Sequence, residues 1–151
     1  MSGGDGGPAT AAAIVSPHQL YCAPNGDVYV REGDYVSSIR RIDARTGTIS
    51  TYLSGLEGAQ WFSFDATGNL FYAVTDQNGF SQLRRRDAAT GVTATAAGVG
   101  PTGFSGDGGS APAALFAGIV AFAWGPDGSL YIPDNGNFRL RRVAFVALPG
   151  H

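Results

Sequence analysis

Asn25-Gly26-Asp27-Val28-Tyr29-Val30 returns as Thr67-Gly68-Asn69-Leu70-Phe71-Tyr72 and again as Asp127-Gly128-Ser129-Leu130-Tyr131-Ile132. In each copy a turn-forming polar-Gly pair leads into β-branched and aromatic residues. A second apolar run stands ahead of each: Gln19 to Ala23, Trp61 to Phe64, and Ile119 to Trp124. Strand, two-residue Asn-Gly or Asp-Gly type turn, strand is a hairpin signature.

A second match lies downstream. Ile39-Arg40-Arg41-Ile42-Asp43, Leu83-Arg84-Arg85-Arg86-Asp87 and Leu140-Arg141-Arg142-Val143 share one pattern. The first two continue as Asp-Ala-x-Thr-Gly, followed by the strand-like runs Thr48 to Leu53 and Val92 to Ala97. Each unit therefore reads as four consecutive strands joined by tight turns, the sequence signature of propeller blades. Gly26 and Gly128 are 102 positions apart, and so are Asp5 and Asp107 of the two Gly-Asp-Gly-Gly motifs. Units one and three thus align without a gap, and unit two lacks the Gly-Asp-Gly-Gly insertion.

The order Gly-Asp-Gly-Gly-Pro-Ala, apolar strand, Asn-Gly-Asp-Val-Tyr-Val, Ile-Arg-Arg-Ile-Asp, Thr-Gly resembles the NHL repeat of β-propellers. Residues 103–109 and 131–141 carry the resemblance most strongly. The fold it implies is all-β: a β-propeller of four-stranded antiparallel blades, incomplete at about three, with short helical turns in the Gly-Asp-Gly-Gly insertions. The whole chain, 1–151, is then one partial domain, with blades over residues 2–55, 56–102 and 103–151. The third departs after Val143, so its outermost strand is missing or remade from Ala144 to Leu148. A closed ring has 4–8 blades, so either the chain is part of a longer propeller or two copies close a ring head to tail.

Composition narrows the function classes. The 151 residues carry a net charge of -2, 44% hydrophobic residues and 15% charged residues, which argues against disorder. The one cysteine, Cys22, excludes an intrachain disulfide, and histidines only at 18 and 151 disfavour a His-rich metal site. All ten basic residues are arginine, and the acidic balance argues against nucleic acid as a partner. The longest apolar stretch, Ala111 to Trp124, is 14 residues and is broken by Pro112 and Gly118, so it is read as a short helix or turn and then a strand, with no membrane span.

The Gly-Asp-Gly-Gly segments read as a tight loop entering a helical turn, with Pro8 at the first helical position. Asp5 or Asp107 would accept local backbone N–H groups; a calcium or phosphate loop is the alternative. In the Arg-Arg pairs, strand alternation sends neighbours to opposite faces, where stems pack and heads reach carboxylates such as Asp43 or Asp87. His18 reads as a loop residue and Cys22 as a small buried hydrophobe. Core packing is the expectation for Trp61, Phe62, Phe64 and Trp124.

No catalytic constellation, metal site or cofactor motif is found. Candidate ligand-binding residues lie in the loops between the second and third strands: Glu32, Asp34 and Tyr35; Asp76 and Asn78; Asp134, Asn135 and Asn137. By resemblance, these rim loops present a non-catalytic binding or scaffold surface for a protein or carbohydrate ligand. A bacterial surface or secreted setting is a compositional expectation. The alternative is part of a six-bladed, metal-dependent lactonase- or lyase-like enzyme. Against it stand the apolar innermost strands, where only Asp65 offers a carboxylate.

Overall fold

The computed structural model describes residues 2–145, which form eleven strands and three single 3₁₀ turns. They fall into two compact units, Met1–Ala59 and Gln60–His151. The fold is an incomplete β-propeller built from antiparallel sheets.

In the first unit, β1 (Pro17–Cys22), β2 (Val28–Glu32), β3 (Val36–Ile42) and β4 (Ile49–Glu57) make one sheet in chain order. The β1–β2 turn has three residues, not the two expected. Ala23 N–H donates to Asp27 O at 2.8 Å and Gly26 N–H to Ala23 O at 2.9 Å, with Gly26 at φ 88°. Pro24 has its φ preset for the second position of a type I turn, and the left-handed Gly26 closes it as a bulge. Gly125-Pro126-Asp127-Gly128 repeats the bond pattern, and Asp65 to Gly68 does so without proline.

The Gly-Asp-Gly-Gly loop covers the outer edge of β4. Gly6 N–H donates to Ile49 O (2.8 Å), Ile49 N–H to Gly7 O (3.0 Å) and Ala9 N–H to Gly47 O (2.9 Å). A sheet edge that would otherwise offer free backbone groups is thereby closed. The helical turn expected to begin at Pro8 is a 3₁₀ turn at Ala9–Ala11. Pro8 stays extended just before it, because this backbone is committed to the β4 edge and a Gly3–Ala13 bridge ends the loop.

The first strand corrects two expectations. Cys22 is exposed, and Leu20 is exposed while Gln19 is buried. A register shift between Pro17 and Gln19 sets this phase, turning the apolar residues outward.

The second unit holds two sheets. β5 (Ala59–Phe64), β6 (Leu70–Thr75), β7 (Ser81–Arg86) and β8 (Thr93–Ala97) form one; β9 (Ala123–Trp124), β10 (Leu130–Asp134) and β11 (Arg139–Val143) form the other. β9 has two residues where Ile119 to Trp124 was expected, since Ile119 instead bridges Asp134. Phe71, Ala73, Leu83 and Ala97 pack with Phe116, Ile119, Phe122, Leu130 and Ile132 in one core. On β5 it is Phe62 that is buried, whereas Trp61 is partly exposed. Phe145 leaves the sheet to lie 5.3 Å from the Phe71 ring and 5.9 Å from Trp124. The remade strand expected from Ala144 to Leu148 lies outside the described residues beyond Phe145, as does His151.

Candidate binding rim

The two arginines of each pair do take opposite faces, and in units one and three the first of the pair serves the interior. Arg40, its side chain 2% exposed, reaches Glu32 at 3.1 Å and Asp5 at 2.5 Å. Arg141 reaches Asp134 at 3.4 Å and Asp107 at 2.6 Å. Glu32 and Asp134 are buried, which corrects the expectation that they face a ligand. They neutralise an arginine that ties the Gly-Asp-Gly-Gly loop to its own blade. Asp5 also accepts the Thr51 N–H at 2.9 Å, so its oxygens serve a neighbouring strand and an arginine rather than its local turn. Each oxygen thus already has a protein partner. In unit two the loop is absent, Val74 takes the place of Glu32, and Arg84 is exposed.

The partner arginines bind turn carboxylates: Arg41 pairs with Asp27 and Asp43, Arg85 with Asp87, and Arg142 with Asp127. The Asp-Ala-x-Thr-Gly motif is a self-capping turn. Asp43 Oδ1 accepts the Arg45 N–H, the Thr46 N–H and the Thr46 hydroxyl, and Asp87 repeats this with Ala89 and Thr90. The Thr46 and Thr90 backbone N–H groups, helped by the hydroxyls, hold both carboxyls below the ordinary aspartate value. Burial alone would raise Asp65, but bonds from Asn69 and Thr67 outweigh it and lower it. Asp65, directly after β5, is therefore spent on its own turn. Among the described residues no group of three or more His, Cys, Asp or Glu could hold a metal.

Three loops of the second unit are stitched into a continuous rim. Thr102 donates to Gly79 O at 3.3 Å, joining the 98–104 segment to the β6–β7 loop. Asn137 Nδ2 donates to Gly103 O and to Asp134 Oδ2, both at 2.8 Å, joining that segment to the β10–β11 loop. Asp134, fully buried, also accepts the Ala117 N–H at 2.7 Å. Asn137 is therefore a brace within the rim. Gly136 passes so close to Ala117 that an added Cβ would meet its carbonyl oxygen at 2.5 Å. Asp76 caps its own turn through the Asn78 and Phe80 N–H groups, and Asp76, Asn78 and Asn135 remain exposed.

The rim's most prominent side chain is one that sequence reasoning did not single out. Phe138 is 95% exposed and adopts the left-handed conformation, φ 54° and ψ 41°. A bulky residue in that region is a backbone outlier. Beside it, Arg139 lies 4.0 Å over the Phe104 ring, and Arg141 stacks between Phe104 and Phe116. Leu140 is also exposed. The signal available in the sequence was an aromatic directly after the polar turn Asn135-Gly136-Asn137.

In the first unit, Asp34 and Tyr35 are exposed beside the β2–β3 turn, and His18 Nε2 lies 3.4 Å from Asp34 Oδ1. His18 thus begins a strand instead of lying in a loop.

Residues 50–144, more than half of the chain, match the family described as the teneurin NHL domain. Mouse (Mus musculus) teneurin-1 is 34% identical over 102 residues, covering 60% of this chain. The chain spans 4% of the length of that relative. A gluconolactonase-like protein solved by X-ray crystallography superposes with a TM-score of 0.54 at 16% identity, over 83% of this chain and 43% of its own. At that identity the likeness concerns the fold alone.

Proposed function

The chain belongs to the teneurin NHL domain family, and from that premise we propose that it is a non-catalytic binding module whose ligand surface is the rim of the second unit. The observation that carries this reading is Phe138, an aromatic held in a left-handed backbone and turned almost wholly to solvent. A strained, exposed aromatic costs the folded chain free energy and is explained by use as an anchor. Its surroundings suit a protein ligand. Leu140 and Phe104 supply apolar area, Arg139 a stacked guanidinium, and Asp76, Asn78 and Asn135 a polar margin. Asp34 and Tyr35 offer a smaller surface on the first unit.

A displayed peptide library and a glycan array, each probed with the chain and with Phe138→Ser, test the proposal. Peptides recovered by the parent and lost by the variant support it. Glycan binding with the same dependence would move the ligand class to carbohydrate. Binders indifferent to Phe138→Ser and to Asn78→Ala would overturn the rim assignment. Completion of the ring, by further blades or by a second copy, belongs to the same proposal. Light scattering separates the two, since only the second copy gives a stable dimer.

A further inference from the structure

Equivalent positions of the repeat carry opposite chemistry in the middle unit. In units one and three the first arginine of the pair meets two acids, Arg40 with Glu32 and Asp5, Arg141 with Asp134 and Asp107. The Gly-Asp-Gly-Gly loop also gives that arginine a carbonyl, Gly3 O at 3.3 Å or Ser105 O at 2.9 Å. Two positions further along the strand stands an apolar residue, Ile42 or Val143. In unit two Val74 replaces the strand acid, and Arg86 replaces the apolar residue. β4 ends at Glu57 and β5 begins at Ala59, which leaves no room for the loop. Strand alternation puts Arg84 and Arg86 on one face of β7. Arg84 is exposed and donates to Gln82 Oε1 at 3.4 Å, and neither arginine has a carboxylate within ion-pair distance among the described residues. The register repeats as well. Arg40 faces Thr51 and Ile42 faces Ile49 across β3–β4, as Arg84 faces Thr95 and Arg86 faces Thr93 across β7–β8. Thr51 and Ile49 donate their outward N–H groups to Asp5 and to Gly7 O. β8 is the outer strand of its sheet, and at the same register the Thr93 and Thr95 N–H groups have no partner among the described residues.

We propose that this face of β7–β8 binds an acidic segment of a partner protein, with one carboxylate on Arg84 and a second on Arg86. The first carboxylate bridges the Arg84 guanidinium and the Thr95 N–H, as Asp5 bridges Arg40 and the Thr51 N–H. A backbone carbonyl of the segment accepts the Thr93 N–H, as Gly7 O accepts that of Ile49. Charge selects the ligand. Arg40 with Glu32 and Asp5 is a neutralised cation, whereas Arg84 and Arg86 are two guanidinium groups without an acid, which attract an acidic segment and repel a basic one. All twelve acidic residues of the sequence lie within 2–145, and none of them pairs with either arginine, so residues 1–151 hold no carboxylate for this face.

The probe is an end-blocked peptide copying residues 3–10 with Gly7→Asp, which carries two carboxylates, titrated at low ionic strength into the ¹⁵N-labelled 151-residue chain. Shifts of the Thr93 and Thr95 amides are expected, with no change at Ile49 and Thr51, whose bonds are already made. Arg84→Gln should weaken binding at least about tenfold, as should asparagine at both acidic positions of the peptide. Arg45→Gln removes an exposed arginine elsewhere and should leave binding unchanged. Unmoved Thr93 and Thr95 amides at millimolar peptide overturn the proposal, as does equal binding of the asparagine peptide or an equal loss in Arg45→Gln. An oligothymidylate that shifts the two amides where the peptide does not would overturn it in favour of a phosphate backbone. None of these residues belongs to the rim, and Phe138→Ser leaves them intact, so the two readings fail separately.

Discussion

Arg40 and Glu32 face each other at 3.1 Å with side chains 2% and 4% exposed, a buried ion pair in the same sheet as buried Val30, Ile39 and Ile49. Asp134 and Arg141 repeat it in unit three. In unit two the acid is Val74 and Arg84 has moved to the surface, which makes the middle repeat a control within one molecule.

Glu32→Ala leaves a buried guanidinium short of its partner and should cost about 3 kcal/mol. Arg84→Ala removes an exposed side chain and should stay within about 0.5 kcal/mol. Urea titration of both variants beside the parent gives the comparison, and equal costs would contradict the assigned roles.

Acid should unfold the chain partly through its turns. Asp43 and Asp87 titrate lower in the folded chain than the ordinary aspartate value, chiefly because backbone N–H groups bind the ionised form. The unfolded chain therefore takes up protons first as pH falls. The stabilisation is complete above about pH 5 and drains away as pH drops through the folded values. Urea midpoints measured from neutral to strongly acid pH should fall on the acid side, and Asp87→Asn should make that fall shallower.

Two glycines of one loop should respond unequally to alanine. At Gly106 (φ 89°) a Cβ would lie 2.7 Å from Ala114 Cα, while at Gly108 (φ 77°) it would meet open space. Both variants incur the left-handed backbone cost of about 1–2 kcal/mol. Gly106→Ala must also push the loop off Ala114 and should be the less stable of the two by thermal denaturation.

Phe138→Gly offers an opposite sign. The side chain is almost wholly exposed, so removing it sacrifices little packing, and glycine relieves the left-handed strain. A stability gain of up to about 1 kcal/mol is expected, together with loss of any ligand the rim binds. A clear loss of stability would show that Phe138 has a structural duty instead.

What the sequence made legible was local. Turn, strand and turn are written in neighbouring residues, so the three hairpins and the Asp-Ala-x-Thr-Gly corners could be read directly. Pro24 and Pro126 were in view, yet each turn was read one residue short because the Asn-Gly or Asp-Gly pair alone was weighed. The union of Asp5 with Arg40, 35 positions apart, depends on the loop folding back over its own blade, and no short pattern announces it. The rim suffered for the same reason. Glu32 and Asp134 have the composition of ligand residues, and only the arginine across the sheet reveals them as interior groups. Phe138 falls between the polar turn and the strand from Leu140, and only its left-handed backbone turns it into the rim's exposed side chain.

Both tryptophans, Trp61 and Trp124, belong to the Gln60–His151 unit, whereas Tyr21, Tyr29, Tyr35 and Tyr52 belong to Met1–Ala59. Indole emission therefore originates wholly in the second unit. In the first unit, the edge-on contacts of Tyr29 with Tyr21 and Tyr52 place a cluster of phenol chromophores. Indole excitation thus selects the second unit, while the near-ultraviolet dichroism of the phenols adds the first unit's cluster to Tyr72 and Tyr131 of the second.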